Sequence, residues 1–228
     1  MGMWRGVADA QPLPALEGNP LLQAYEQVGG SSGAEGADRD ALIACYGFSV
    51  PTDEALRLVA RFAPEGVVEV GAGTGYWARM LHETGVDVVA YDIEPPPSPA
   101  NRWFAGSTLW YPVGAADETV VDLHAERTLV MVWPTRHEAW AAQAAERFHT
   151  VGGCHLVYVG EGPGGRTGDD SFHALLGAYD RCWACAYGIT NAPCICSVRP
   201  LWRLLQTLEL PHWEGMQDDL HVYVRLDA

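Results

Sequence analysis

VVEVGAGTGYW, residues 67–77, is the stretch of sequence that decides the fold. Its β-branched valines favour a strand. The glycine-rich turn that follows lets the backbone approach a ligand closely, and the next residues have helical spacing. A strand, a tight turn and a helix in this order form a nucleotide-type binding element. The sequence therefore predicts a ligand site at this turn.

The spacing of the glycines indicates which ligand the turn would hold. A dinucleotide fingerprint needs a small residue where Tyr76 stands, and a P-loop needs a Gly-Lys-Ser/Thr sequence that does not follow. The pattern that remains is Glu69-x-Gly71-x-Gly73-x-Gly75. It resembles the first motif of the class I S-adenosylmethionine (SAM)-dependent methyltransferases. The resemblance implies that these four residues bind SAM.

The remainder of the chain alternates between apolar runs and helical patterns. We predict strands at residues 67–70, 86–91, 111–113, 128–133 and 156–159, a helix at 138–148, and a final hairpin at 204–210 and 220–226. Such alternation predicts an α/β fold with helices on both faces of a mainly parallel sheet. The fold class is thus a doubly wound, seven-strand, mostly parallel sheet with a C-terminal antiparallel hairpin, as in the methyltransferase fold, and a Cys-rich insertion.

The domain organisation follows from composition. Residues 1–40 are predicted to be a flexible N-terminal segment, because residues 29–36 have a Gly/Ser-rich linker composition. A short helix is possible near residues 21–28. Residues 41–228 are predicted to form the methyltransferase domain, with the Cys-rich insertion at about residues 180–200.

The resemblance extends to three further cofactor residues. Asp92 closes the second predicted strand, where a carboxylate can accept hydrogen bonds from both ribose hydroxyls. Asp117 follows the third strand, where the family often places an acid near the adenine amino group. Trp133 resembles the start of the family's fourth motif, beside the transferred methyl. That motif departs here from the (Asp/Asn)-Pro-Pro-(Tyr/Phe) form of amino-group methylators, so it gives N-methylation no support.

Two residues at strand ends are candidates for a catalytic base. His137 follows the fourth predicted strand and Glu161 the fifth. A base would be needed for a hydroxyl acceptor, whereas a thiol or an amine can react without one. The alternatives are a surface histidine at a helix start and an acid that caps its own loop. Three acids between the last two strands could line the acceptor site: Glu214, Asp218 and Asp219.

A cluster of cysteines indicates a metal site. Cys182-x-x-Cys185 is followed by Cys194-x-Cys196, and His173 could replace one thiolate. Four thiolates can surround zinc tetrahedrally and stabilise a short irregular segment. The sequence therefore predicts a structural zinc ion. Unligated thiols and a redox or disulfide role remain as alternatives.

The net charge of −15 limits the kind of partner. A protein that binds nucleic acid needs a basic surface, and none is visible, so we expect no nucleic-acid partner. We also expect no membrane partner, because no apolar run has transmembrane length. No basic-plus-apolar signal begins the sequence, so we expect a cytoplasmic location. A small-molecule acceptor fits this composition.

These observations predict a SAM-dependent methyltransferase that acts on an O, N or S atom of a small-molecule metabolite. The alternatives are a peptide or protein methyltransferase and a non-catalytic, zinc-containing binding protein with the methyltransferase fold. The acceptor and the oligomeric state are left open by the sequence.

Overall fold

The computed structural model describes residues 13–30, 36–179 and 194–227. Within these residues seven strands form one sheet with the order β3-β2-β1-β4-β5-β7-β6. The strands are β1 (Val67–Val70), β2 (Val88–Asp92), β3 (Val113–Ala115), β4 (Thr128–Val132), β5 (His155–Gly160), β6 (Trp202–Glu209) and β7 (Asp219–Arg225).

Helices pack on both faces of this sheet. The helices are α1 (Pro20–Gln27), α2 (Gly36–Tyr46), α3 (Asp53–Phe62), α4 (Tyr76–Glu83), α5 (Trp140–Thr150) and α6 (Asp170–Leu175). Thr52 begins α3 as its N-cap, since its side chain accepts a hydrogen bond from the N–H of Ala55. Among the described residues, no helix has the length and apolar character needed to cross a membrane.

The directions of the strands confirm the predicted sheet, whereas most of the predicted Cys-rich insertion lies outside the described residues. Strands β1 to β5 pair in parallel, and β7 pairs antiparallel with both β5 and β6. The strand order reverses between β1 and β4, and ligands of open parallel sheets bind beyond the carboxyl ends of the strands at such a point. The glycine turn that follows β1 lies at this position.

Two apolar cores, one on each face, hold the helices to the sheet. Val67 of β1 belongs to the core that contains α1, α3 and α4, whereas its neighbour Val68 belongs to the core that contains α5. This alternation follows from the two-residue period of a strand. Glu69 therefore faces the same side as Val67, toward α4.

Several element boundaries differ from the predicted ones. The helix predicted at 138–148 runs from Trp140 to Thr150 and follows a turn in which His137 adopts a positive φ of 62°. The strand predicted at 111–113 begins only at Val113, because the residues before it cross the glycine turn, where the N–H of Trp110 donates to the carbonyl of Thr74.

The described part of the predicted flexible segment is packed against the domain. Leu21 of α1 is fully buried, and the Asn19 side chain donates to the carbonyl of Pro51 and accepts from the hydroxyl of Tyr76. Helix α2 begins at Gly36, inside the predicted segment. The flexible segment was predicted from the Gly/Ser-rich composition of residues 29–36. The packing of α1 depends instead on its apolar side.

Candidate functional site

A cavity of about 460 Å³ opens at the carboxyl edge of the sheet. This volume lies within the range of small-molecule sites. Six of the seven predicted cofactor residues line it: Glu69, Gly71, Gly73, Asp92, Asp117 and Trp133. The seventh, Gly75, begins α4 as its N-cap with a φ of 71°. The structure therefore brings together residues that are far apart in the sequence.

The glycine turn is shaped so that only glycine fits. Gly71 and Gly73 have φ values of 74° and 53°, a region that other residues rarely adopt. A Cβ atom on Gly71 would come within 2.7 Å of the Trp140 ring, and one on Gly73 within 2.6 Å of the Phe104 ring. Glycine at these two positions therefore permits both the positive φ angles of the turn and the close approach of the two rings.

Glu69 is the most perturbed acid of the cavity. Its side chain is 1% exposed, and its Oε2 atom has no hydrogen-bond partner among the described residues. Burial raises its pKa to about 8, the nearby N–H of Ala78 opposes this rise, and the charge of Asp92 adds to it. A buried polar atom without a partner costs free energy, which a donor that entered the cavity would reduce.

Asp92 joins the end of β2 to the glycine turn. Its Oδ2 atom accepts a hydrogen bond of 2.9 Å from the N–H of Gly73, and its Oδ1 atom accepts one of 3.0 Å from the N–H of Glu94. A carboxylate oxygen can accept more than one hydrogen bond, so both atoms retain acceptor capacity toward the cavity. The backbone contacts fix the orientation of this carboxylate.

Asp117 lies at the exposed rim of the cavity. It is the N-cap of the 3-10 helix Glu118–Leu123, and its carboxylate accepts from the hydroxyl and the N–H of Thr119. These hydrogen bonds lower the pKa of Asp117. Asp117 thus lies in the cavity lining, where its Oδ1 atom is engaged by Thr119.

Trp133 forms one wall of the cavity from a strained backbone position. Its φ is 51°, and its ring stacks on Phe48 with a centroid distance of 4.9 Å. Behind this ring the buried Asp218 faces the Trp133 indole and the Ser49 hydroxyl, and burial raises the pKa of its carboxyl. Asp218, one of the three acids expected at an acceptor site, thus supports the wall rather than lining the cavity.

Neither candidate base lines the cavity. His137 is exposed, and its N–H donates to the carbonyl of Gly168. Each oxygen of Glu161 is held by a backbone N–H, since Oε2 accepts from the N–H of Arg166 and Oε1 from that of Gln217. The structure therefore corresponds to the alternatives considered for both residues: His137 lies on the surface before α5, and Glu161 holds its own loop.

Most of the cavity's aromatic lining was missed in the sequence. The aromatic side chains that line it besides Trp133 include Tyr46, Phe48, Trp103, Phe104 and Trp140. They come from the end of α2, the connection between β2 and β3, and the start of α5. Because these segments carry no motif, the high tryptophan content, nine in 228 residues, was the only available signal.

The predicted zinc site cannot be placed from the described residues. Cys182 and Cys185 lie outside them, whereas Cys194 and Cys196 are partly buried at the 3-10 helix Ile195–Ser197. His173 is buried, and its Nε2 atom bonds to the carbonyl of Thr167. Within the described ranges no group of three or more His, Cys, Asp or Glu side chains is arranged to hold a metal. The zinc ion remains a prediction.

Comparisons with known proteins gave matches only among solved structures. No protein-family model and no curated protein matches the chain. The 1,6-didemethyltoxoflavin-N1-methyltransferase of Burkholderia thailandensis is 16% identical, with 97% of this chain and 99% of that one covered and a TM-score of 0.46. The magnesium protoporphyrin IX methyltransferase of Synechocystis PCC 6803 is 10% identical, with 90% and 94% covered and a TM-score of 0.44.

The sheet itself is the ground for assigning the fold. It has the predicted seven strands, the antiparallel strand β7 at the predicted end, and the glycine turn directly after β1. This chain has the fold of the class I SAM-dependent methyltransferases.

Proposed function

We propose that this protein is a SAM-dependent methyltransferase that acts on a small-molecule acceptor. When bound, SAM supplies a methyl group activated on a sulfonium. The observation that carries the proposal is the buried, unpartnered Oε2 atom of Glu69 in the same cavity as Asp92 and the glycine turn. A carboxyl group buried without a partner at a fold's ligand edge is a candidate for ligand contact.

The residues present fit SAM by their chemistry. Asp92 would accept hydrogen bonds from the ribose hydroxyls. The backbone N–H groups of Gly73 and Glu94 already fix the orientation of its carboxylate. Glu69 would meet a cationic or hydrogen-bond-donating group, which would stabilise its ionised form and lower its pKa. Asp117 at the rim would accept from the adenine amino group. The roles of Asp92 and Asp117 are those expected from the sequence, and the role of Glu69 is inferred from its burial.

The protein's share of the transfer would be alignment. Holding the acceptor in line with the methyl group can contribute about 7–11 kcal/mol in favourable cases. Because neither His137 nor Glu161 lines the cavity, we favour an acceptor atom that does not need a general base from these residues. A thiol or an amine meets this condition. The structural zinc ion and the cytoplasmic location remain predictions.

Binding of S-adenosylhomocysteine (SAH), measured by isothermal titration calorimetry, tests the proposal. We expect Asp92→Ala to weaken SAH binding by about tenfold or more, because it removes charge-assisted hydrogen bonds. Glu65→Ala is the matched control, since Glu65 is an exposed acid at the opposite end of β1. Circular dichroism would establish that both variants fold.

The same titration separates the proposal from its alternatives. A wild-type chain that binds neither SAH nor SAM would overturn the methyltransferase assignment and favour a non-catalytic binding protein. If SAH binds, incubation with labelled SAM and either a metabolite extract or a protein extract distinguishes a small-molecule acceptor from a protein acceptor. Label in the protein fraction alone would replace the proposed acceptor class.

A further inference from the structure

The connection between β2 and β3 is unusual for this fold. A crossing between neighbouring parallel strands normally contains a helix. Residues 93–112, all of which are described, form twenty residues of turns and bends with neither helix nor strand. Loops of this length without regular structure are uncommon in compact domains and usually serve a function. This connection lines the cavity with Trp103 and Phe104.

One buried side chain holds the connection in place. Asn101 is 7% exposed, and its Oδ1 atom accepts hydrogen bonds from the N–H groups of both Trp103 and Phe104. Its amide nitrogen donates to the carbonyl of Glu94 at 2.7 Å. These three bonds fix the backbone at the two aromatic residues. The aromatic wall is therefore preorganised, which reduces the entropy lost on binding.

Three rings in contact form what we call the aromatic row: Trp103, Phe48 and Trp133. The centroids of Trp103 and Phe48 are 5.6 Å apart with planes at 86°, and those of Phe48 and Trp133 are 4.9 Å apart with planes at 11°. Trp103, at the outer end, remains 48% exposed. The row therefore presents a half-exposed indole at its outer end and leads inward to the residue that resembles the fourth motif.

The charged lining of the cavity has mostly one sign. Its acids besides Glu69 are Asp92, Glu94, Asp117, Glu118 and Glu138. Among the described residues that line the cavity, Arg102 is the only Arg or Lys. It forms an ion pair with Glu138 at 3.3 Å, and its guanidinium lies 4.7 Å from the Trp103 ring centroid. An anionic acceptor would thus meet repulsion, while a neutral or cationic one would not.

We propose that the aromatic row is the acceptor subsite and that it selects a flat aromatic acceptor without negative charge. The inference rests on the proposed function, since it names the acceptor class of the same cavity. Aromatic rings recognise other rings by offset or edge-to-face packing and by area burial, and they attract cations at their faces. The acidic lining adds a preference for acceptors without negative charge.

Four probes of similar size test this selection on the full chain in saturating SAH. They are 1-naphthylmethylammonium, 1-naphthylmethanol, 1-naphthylacetate and, without an aromatic ring, decahydro-1-naphthylmethylammonium. Calorimetry should show that the cationic and neutral naphthyl probes bind at least about tenfold more tightly than the anionic one, because like charges repel. The saturated ammonium probe should bind more weakly than its flat naphthyl counterpart. Equal affinity of the two ammonium probes, or tightest binding of the acetate, would overturn the proposal.

Variants locate the binding. Trp103→Ala should weaken both favoured naphthyl probes by about tenfold, because a large aromatic contact is lost, whereas Trp103→Phe should retain most of the affinity. Leu204→Ala is the matched control, as Leu204 is an equally exposed apolar residue on the edge strand β6. A Trp103→Ala variant that binds the probes like wild type would contradict the assignment of the row.

SAH affinity, measured on the same samples, keeps the two proposals apart. If SAH binds and none of the probes does, the acceptor class is wrong while the methyltransferase assignment stands. If the naphthyl probes bind in the predicted order and SAH does not bind, the aromatic subsite stands and the methyltransferase assignment fails.

Discussion

Two buried glutamates on the same sheet have opposite relations to the protein around them. Glu69 on β1 is 1% exposed and leaves its Oε2 atom without a partner, whereas Glu161 after β5 is 8% exposed and has both oxygens bonded to backbone N–H groups. Of these two glutamates, only Glu69 lines the cavity. Neither burial nor an unmet hydrogen bond alone identifies a ligand site, since Asp218 is buried with both oxygens unpartnered among the described residues and does not line the cavity. Glu69 combines an unmet oxygen with a place in the cavity lining.

Glycines with positive φ shape the backbone near both glutamates. Near Glu69 they are Gly71, Gly73 and Gly75, of which Gly71 and Gly73 line the cavity. Near Glu161 they are Gly164 and Gly168, and the N–H of Gly168 donates to the carbonyl of Pro134. The first turn borders the cavity, whereas the second is held by contacts within the protein.

Replacing Glu161 should have the largest effect on stability. Glu161→Ala leaves the N–H groups of Arg166 and Gln217 without acceptors, so we expect the free energy of unfolding to fall by about 3–5 kcal/mol. SAH affinity at a temperature where the variant is folded should change by less than about threefold, because the carboxylate does not reach the cavity. Urea unfolding and calorimetry measure the two quantities. Glu65→Ala, which alters an exposed acid, should change neither. A tenfold loss of SAH affinity with unchanged stability would show that Glu161 acts at the ligand site rather than in holding its loop.

Replacing Glu69 should change the pH dependence of stability. Its pKa of about 8 in the folded protein exceeds the unfolded value near 4.5, so the folded state binds more protons between these pH values. The unfolding free energy of the wild type should therefore fall as pH rises through this window, by up to about 1.4 kcal/mol per pH unit.

Glu69→Gln removes the titrating group and should make the curve flatter. Urea unfolding at pH 5.5, 6.5 and 7.5 gives the free energy of unfolding of both proteins. The difference between wild type and variant isolates the contribution of Glu69, because the contributions of the other titrating groups cancel. A difference that is constant with pH would show that Glu69 ionises normally. Glu65→Gln serves as the control for loss of one carboxylate.

A glycine at position 137 should have the smallest effect. His137→Gly relieves a positive φ, so the free energy of unfolding should rise by no more than about 1 kcal/mol, with part of the gain offset by the freedom of glycine in the unfolded chain. Arg136→Gly, at a neighbour without a positive φ, should destabilise instead. If His137→Gly destabilises as much as Arg136→Gly, the backbone at 137 carries no strain.

Much of the fold could be predicted from local pattern. The valine-rich runs of β1 and β4 and the glycine turn are encoded within a few residues, because strand, turn and helix preferences act locally. Asp92, which lines the cavity, was selected by its place at a strand end. The same reasoning selected Glu161, since position in a strand does not show whether a side chain lines the cavity.

The sequence by itself determined the strand–turn–helix element, the seven-strand order of elements and the acids that end the strands. Only the tertiary structure decided which acid faces the cavity. The N–H of Gln217, which lies 56 residues from Glu161, donates to one oxygen of that carboxylate, while the Oε2 atom of Glu69 has no hydrogen-bond partner among the described residues. Hydrogen-bond partners and the aromatic walls come from distant segments, so their assignment depends on packing that no local pattern contains.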